Sequence, residues 1–189
     1  TSADNFKRTS NRHDFALSPP SPTMLDILEK HGKDVISIGK IRDIFNGKGI
    51  TCSYKTTGNA DGMARIREIS RKDFSGLCFL NLVDFDMLYG HRRDVDGYAQ
   101  ALTDFDRFLG GFMEDMKPDD LLMITADHGC DPAYRKTTHQ TREDVPVLIY
   151  GKSIAGGRDY GVRDGFTCEA NTVCRQFGLE SDFYGDALD

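Results

Sequence analysis

The 189-residue sequence has no tryptophan, only five cysteines and no long apolar run. The cysteines are Cys52, Cys78, Cys130, Cys168 and Cys174. Their number is odd and none are spaced as CxxC, so neither a disulfide framework nor a thiolate zinc site is indicated. No stretch approaches the roughly 18 apolar residues of a membrane span, and the first residues lack the apolar core of a signal peptide. We therefore expect a cytoplasmic protein without a membrane partner.

The charge is modest, with a net value of -6 at pH 7. Acidic and basic residues are interspersed, which argues against a surface for nucleic acid or anionic lipid. With 39% hydrophobic residues, the chain can bury a core. It is expected to form one compact domain or one large piece of a bigger fold.

Residues 1–20 are polar and end near "SPPSP", which predicts an arm or linker before a folded part at 21–189. Ser21 is expected to cap a first helix over "TMLDILEKHG", and the glycines of "NGKGIT" predict a turn. The apolar runs "DVISIG", "GLCFLNLV", "DLLMITA" and "VPVLIYG" predict strands that alternate with helices, the longest from Val95 to Met116. This alternation predicts an α/β fold with a mostly parallel sheet and helices on both faces. Four strands leave a bare edge, so the sheet is expected to be incomplete.

Carboxylates and imidazoles follow two of the predicted strands. Asp86 and His91 come after the second run, and Asp127 and His128 come after the third, with His139 further along the same loop. Loops at the carboxyl ends of parallel strands converge on one crevice, so these side chains should meet. Carboxylate oxygens and imidazole nitrogens are suitable ligands for divalent ions such as manganese or zinc. A lone histidine in a loop is more often structural, but the convergence of three with two carboxylates favours a metal site.

The adjacent pair Asp127 and His128 bears on the number of ions. Successive residues of extended backbone point to opposite sides, so the two side chains could serve different ions. Two divalent ions can clamp the attacking and leaving oxygens of a phosphoryl group. The sequence therefore indicates phosphoryl chemistry.

Other polar residues near these loops receive structural interpretations. Asp84 is expected to orient a ligand imidazole, and Asp131 to set a turn before a proline. Cys130 is not placed among the ligands. The two arginines of "HRRD" could bind a phosphate, but ion pairs with the neighbouring aspartates are favoured.

Several segments together resemble the C-terminal part of the phosphopentomutases, a family of the alkaline phosphatase superfamily. They are "FLNLVDFDMLYGHRRDVDGY", "ITADHGCDP", "TREDVPVLIYG" and the arm "FKRTSNRHDF". The resemblance implies interconversion of ribose or deoxyribose 1-phosphate and 5-phosphate, with two manganese ions and a phosphorylated threonine. It also implies that the N-terminal strands, the threonine and most of a cap domain are missing, so a partner would be the N-terminal half of the same protein.

The same resemblance implies roles for particular residues. Asp127 and His128 would bind one ion, while Asp86, His91 and His139 would bind the other. Arg8 and Arg12 of the arm would hold the pentose phosphate. In "THQTRE", Thr138 stands where the family usually has an acid and Gln140 is an additional residue, so His139 departs from the family pattern.

Two alternatives stay open. One is another metal-dependent phosphatase or a phosphoglycerate mutase of the same superfamily, which shares the Asp-His pair but should lack the "NRHDF" arm. The other is a non-catalytic metal-binding module that kept the sheet and lost the reaction.

Overall fold

The computed structural model describes residues 16–137 and 139–188. Arg8, Arg12 and Thr138 therefore lie outside the described residues, as does most of the expected arm. The described chain forms two compact units. The first contains residues 16–57, Asp73–Asn81 and 164–188, and the second contains Gly58–Lys72 and Leu82–Arg163.

A three-stranded parallel sheet is the centre of the first unit, which confirms the α/β class. Its strands are β1 (Asp34–Ile38), β2 (Cys52–Tyr54) and β3 (Gly76–Leu80), in the order β2-β1-β3. Ile36 of β1 is in register with Cys52 on one side and Cys78 on the other. β2 was not predicted, because three partly exposed residues after a turn carry no clear periodic pattern.

Three helices accompany this sheet: α1 (Met24–Lys30), the short α2 (Ile41–Ile44) and α5 (Thr167–Gln176). α1 begins after Thr23 rather than after Ser21, because the carboxylate of Asp26 accepts a hydrogen bond from the Thr23 backbone N–H at 2.7 Å. This is the reciprocal half of a capping box. α1 contacts both β1 and α5, and Leu25 and Leu28 are fully buried there.

The turn "NGKGIT" forms as predicted and approaches α1 closely. Gly49 has a φ of 69°, a conformation that favours glycine. A Cβ at this position would lie 2.7 Å from the backbone carbonyl carbon of Leu25. The absence of a side chain therefore allows the turn to pack against the helix backbone.

The second unit contains α3 (Asn59–Ser70), a π-helical segment (Phe85–Gly90), α4 (Val95–Asp115), β4 (Leu122–Thr125) and β5 (Val147–Tyr150). β4 and β5 do not pair in parallel as expected: they form a two-stranded antiparallel sheet of their own, with Leu122 opposite Tyr150. A parallel pair needs a crossover of a dozen or more residues, usually helical, and the described residues between β4 and β5 include no helix. None of the helices in the described ranges has both the length and the apolar content that a membrane span requires.

Contacts around α4 hold the helices of this unit together. The Arg67 guanidinium of α3 lies 4.9 Å from the ring centroid of Phe108 and donates to the Phe108 carbonyl at 3.3 Å. The rings of Phe85 and Tyr98 lie 5.3 Å apart and join the π-helical segment to α4. α4 thus fixes the segment that carries the first predicted ligands.

Truncating Leu28 tests the core of the first unit. Leu28→Ala removes a side chain with 0% exposure, and we expect it to lower the free energy of unfolding by about 2–5 kcal/mol. Leu17→Ala is the matched control, because Leu17 is 92% exposed. Urea denaturation followed by circular dichroism would measure both, and equal midpoints for the two variants would contradict this core.

Candidate metal centre

The π-helical segment brings Asp86 and His91 together. The His91 backbone N–H donates to the Asp86 carbonyl at 3.1 Å, a bond from residue i+5 to residue i. In a regular α-helix, residues five apart point about 140° away from each other. The widened turn instead allows His91 Nε2 to lie 3.1 Å from Asp86 Oδ1.

The segment after β4 supplies the next two predicted ligands. His128 Nε2 lies 4.0 Å from Asp86 Oδ1 and 3.7 Å from Asp127 Oδ2. The expected opposite orientation of Asp127 and His128 is therefore wrong. β4 ends at Thr125, so the alternation of an extended strand does not reach these two residues.

The orientation of the His128 ring exposes one nitrogen to the carboxylates. His128 Nδ1 lies 3.0 Å from the Gly129 carbonyl oxygen. A carbonyl can only accept, so Nδ1 is the donor in this contact and Nε2 is the ring nitrogen turned toward the carboxylates. Such a backbone contact is the usual support of a metal-binding histidine.

Asp86 Oδ1 is the atom that best tests whether a cation fits here. It is shielded from solvent and accepts no hydrogen bond, although His91 Nε2 is near. A shielded carboxylate oxygen that has an imidazole nitrogen beside it but no hydrogen bond is a favourable position for a cation. Two atoms that each bind one ion at about 2.1 Å lie about 3.0–3.4 Å apart, which matches the separation of Asp86 Oδ1 and His91 Nε2. The residues present thus fit a divalent ion.

Cys130 also lies in this group, which the sequence analysis did not anticipate. Its Sγ, a carboxylate oxygen of Asp86 and a ring nitrogen of His91 lie within 4.8 Å of one another. Burial raises the pKa of the Cys130 thiol, Asp86 raises it further, and the Arg93 guanidinium opposes both. The only feature of the sequence that pointed to Cys130 as a member of this group was its position two residues after His128.

Backbone contacts close the loop that follows His128. Gly129 and Thr141 form an isolated antiparallel bridge, and the Thr141 N–H donates to the Gly129 carbonyl at 3.0 Å. A Cβ on Gly129 would lie 3.0 Å from the Thr141 carbonyl oxygen and closer still to the movable carboxylate of Glu143, so this bridge leaves little room for a side chain. Asp131 Oδ1 accepts from the Ala133 N–H at 2.8 Å, which confirms the predicted turn.

Arg93 organises the same loop through carbonyl groups. Its guanidinium donates to the carbonyls of Gly90 at 3.1 Å, Asp131 at 2.8 Å, Thr137 at 3.1 Å and His139 at 2.8 Å. The residue has a φ of 57°, an uncommon conformation for a residue with a side chain. In the described part of the chain, Arg93 binds these carbonyls instead of forming the expected ion pair with a neighbouring aspartate. It joins the end of the π-helical segment to the loop that carries His139.

The aspartates on either side of the π-helical segment accept hydrogen bonds at the first turns of two helices. Asp84 Oδ2 accepts from the Asn59 N–H at 2.6 Å, and the Asp84 N–H donates to Asn59 Oδ1 at 3.0 Å. Asp84 therefore binds the first residue of α3 rather than an imidazole, which corrects its predicted role. Asp94 Oδ1 accepts from the Gly97 N–H at 2.9 Å and caps α4.

His139 is placed differently from the other predicted ligands. It is exposed, and its N–H donates to Thr137 Oγ1 at 3.1 Å. Among the described residues, the compact donor group contains Asp86, His91 and Cys130 but not His139. The structure therefore brings together Asp86, His91, Asp127 and His128, and holds only the backbone of His139 nearby through Arg93.

The fold and the donor group are those of a candidate metal-binding α/β protein, and a family comparison agrees. A family model described as the Metalloenzyme superfamily matches residues 6–181, so the chain belongs to this superfamily. This membership implies metal ions as cofactors.

Curated relatives extend the comparison. The chain is 51% identical over 178 residues to a phosphopentomutase of Limosilactobacillus reuteri (strain DSM 20016), covering 94% of the chain and 45% of that protein. It is 51% identical over 180 residues to a phosphopentomutase of Syntrophotalea carbinolica, covering 95% of the chain and 46% of the relative. For a phosphopentomutase of Carboxydothermus hydrogenoformans the identity is 49% over 186 residues, covering 96% and 48%. The resemblance indicated by the motifs is confirmed, and the chain spans about half the length of the curated relatives it matches.

Replacing Arg93 tests the proposed organisation of the loop. Arg93→Ala leaves several carbonyls without their charged donor, and we expect a loss of about 1.5–3 kcal/mol in unfolding free energy. Hydrogen exchange of the amides of residues 129–137 and 139–141 should accelerate as well.

The neighbouring exposed residue provides the control for this change. Arg92→Ala removes the same charge one position earlier and should leave loop exchange close to that of the parent. Equal protection of the loop in the parent, Arg93→Ala and Arg92→Ala would show that Arg93 does not hold it.

Proposed function

We propose that the chain is the metal-binding part of a phosphopentomutase, which interconverts the 1-phosphate and 5-phosphate of ribose or deoxyribose. The observation that carries the proposal is Asp86 Oδ1, a shielded oxygen without a hydrogen bond that faces the imidazoles of His91 and His128. Similarity to phosphopentomutases over nearly the whole chain supports the choice of substrate.

The proposed cofactor is a pair of manganese ions. In this assignment, Asp127 and His128 hold one ion, and Asp86, His91 and His139 hold the other. The ions, when bound, would neutralise the charge on a transferring phosphoryl group and orient its oxygens. The 3.7 Å distance between Asp127 Oδ2 and His128 Nε2 supports a shared ion for that pair. For His139, the support is the hydrogen bond from Arg93 to its carbonyl, which keeps this part of the loop beside the π-helical segment.

Binding and orientation of the substrate are assigned to charged groups of the arm. Arg8 and Arg12 would hold the phosphate or the sugar, because a guanidinium can donate two parallel hydrogen bonds to phosphate oxygens. Residues 1–20 would then be an arm from the end of a cap domain, and residues 21–189 the C-terminal half of the metal-binding core. The threonine that accepts phosphate would belong to another part of the protein, its N-terminal half. Five free cysteines support a reducing setting such as the cytoplasm.

Manganese titration by calorimetry tests the ligand set. Asp127→Ala and His128→Ala each remove a proposed ligand, and we expect each to weaken manganese binding by at least about tenfold. His31→Ala is the matched control, since His31 ends α1 in the other unit, where its Nδ1 lies 2.8 Å from the Ile27 carbonyl oxygen. The same affinity in the parent and in all three variants would refute the metal assignment.

Assays of turnover test the reaction. The purified chain should show no conversion of ribose 1-phosphate, because its proposed nucleophile lies elsewhere, whereas the complete protein should convert it. Detectable conversion by the chain alone would contradict the assignment of the threonine. If the complete protein preferred triose phosphates, a phosphoglycerate mutase of the same superfamily would be favoured instead. If the complete protein bound metal but converted no phosphorylated sugar, a non-catalytic module would be indicated.

A further inference from the structure

Cys130 places a sulfur atom where the proposed manganese centre needs none. Its Sγ lies within 4.8 Å of the ligand atoms of Asp86 and His91, and all three residues are partly buried. Together they present one oxygen, one nitrogen and one sulfur. Manganese prefers oxygen and imidazole ligands, whereas zinc and cobalt also accept thiolate.

The local backbone makes room for this sulfur. A Cβ at Gly90 would lie 2.6 Å from Cys130 Sγ and 2.9 Å from the Phe85 carbonyl oxygen, so glycine before His91 leaves room for both the thiol and the widened turn. Arg93 Nη1 lies 4.0 Å from the same sulfur, so the side chain that joins the two segments also borders the thiol.

We propose that Cys130 Sγ is a third ligand for thiophilic divalent ions, zinc or cobalt, at the Asp86–His91 pair. In this binding mode the thiol proton passes to solvent and a sulfur–metal bond forms, with no change of oxidation state. The inference deepens the proposed function, because it shares Asp86 and His91 with one manganese site and uses Cys130 in place of the exposed His139. The centre would then discriminate poorly against zinc, and bound zinc would compete with manganese.

Cobalt provides a direct spectroscopic probe of the sulfur ligand. A cobalt ion bound by thiolate gives a sulfur-to-metal charge-transfer band in the near ultraviolet, which oxygen and nitrogen ligands do not produce. We expect titration of the chain with cobalt chloride to produce this band and zinc chloride to abolish it. Cys130→Ser, which is nearly isosteric, should lose the band and weaken zinc binding by at least about tenfold, so that the ratio of zinc to manganese affinity falls.

Two further variants separate ligation from general effects. Cys52→Ser removes an exposed thiol of the first unit and should keep the band. Gly90→Ala keeps every ligand side chain but crowds both Cys130 Sγ and the Phe85 carbonyl, so it should weaken the band by disturbing the geometry of the centre. A band that persists in Cys130→Ser, or that disappears in Cys52→Ser, would overturn the proposal.

The result is independent of the reaction assigned to the complete protein. If pentose phosphates are not substrates but the cobalt band depends on Cys130, the proposed function fails and the sulfur ligand stands. If pentose phosphates are converted and the band does not depend on Cys130, the sulfur ligand fails and the proposed function stands.

Discussion

The guanidinium of Arg93 is the constraint on which the candidate centre depends. The described residues between β4 and β5 contain no helix, so their backbone carbonyls lack the partners that regular structure supplies. One planar cation replaces those partners by binding the carbonyls of Asp131, Thr137 and His139, and it binds Gly90 on the other segment as well. A loop held in this way can carry ligand residues in an irregular conformation without losing its position.

The centre also gathers candidate ligand atoms before any cation is bound. His128 Nε2 lies 4.0 Å from Asp86 Oδ1 and 3.7 Å from Asp127 Oδ2. The π-helical segment and the His128 contact with Gly129 hold these side chains in place. Such preorganisation lowers the reorganisation that ion binding would otherwise require.

The sequence predicted the first helix and the longest helix well, since α1 and α4 lie close to the expected segments. From the positions of the strand ends, it predicted that the two segments carrying the ligands meet. It did not predict the features that depend on irregular backbone. The π-helical turn that aligns Asp86 with His91 has no pattern of its own, and the end of β4 at Thr125 removed the basis for orienting Asp127. The antiparallel pairing of β4 and β5 was foreseeable, because the sequence between them offers no crossover helix.

The outer edge of β3 has a consequence for handling the chain in solution. β3 pairs with β1 only, among the strands in the described ranges, and its residues "GLCFL" include no charge and no proline. A strand edge that is unpaired and lacks lysine, proline or a bulge can act as a template for further strand pairing. A short, uncharged apolar segment of this kind is also the sort of sequence that stacks in fibrils. The chain should therefore aggregate more readily at higher protein concentration. Covering the edge of β3 should reduce this aggregation.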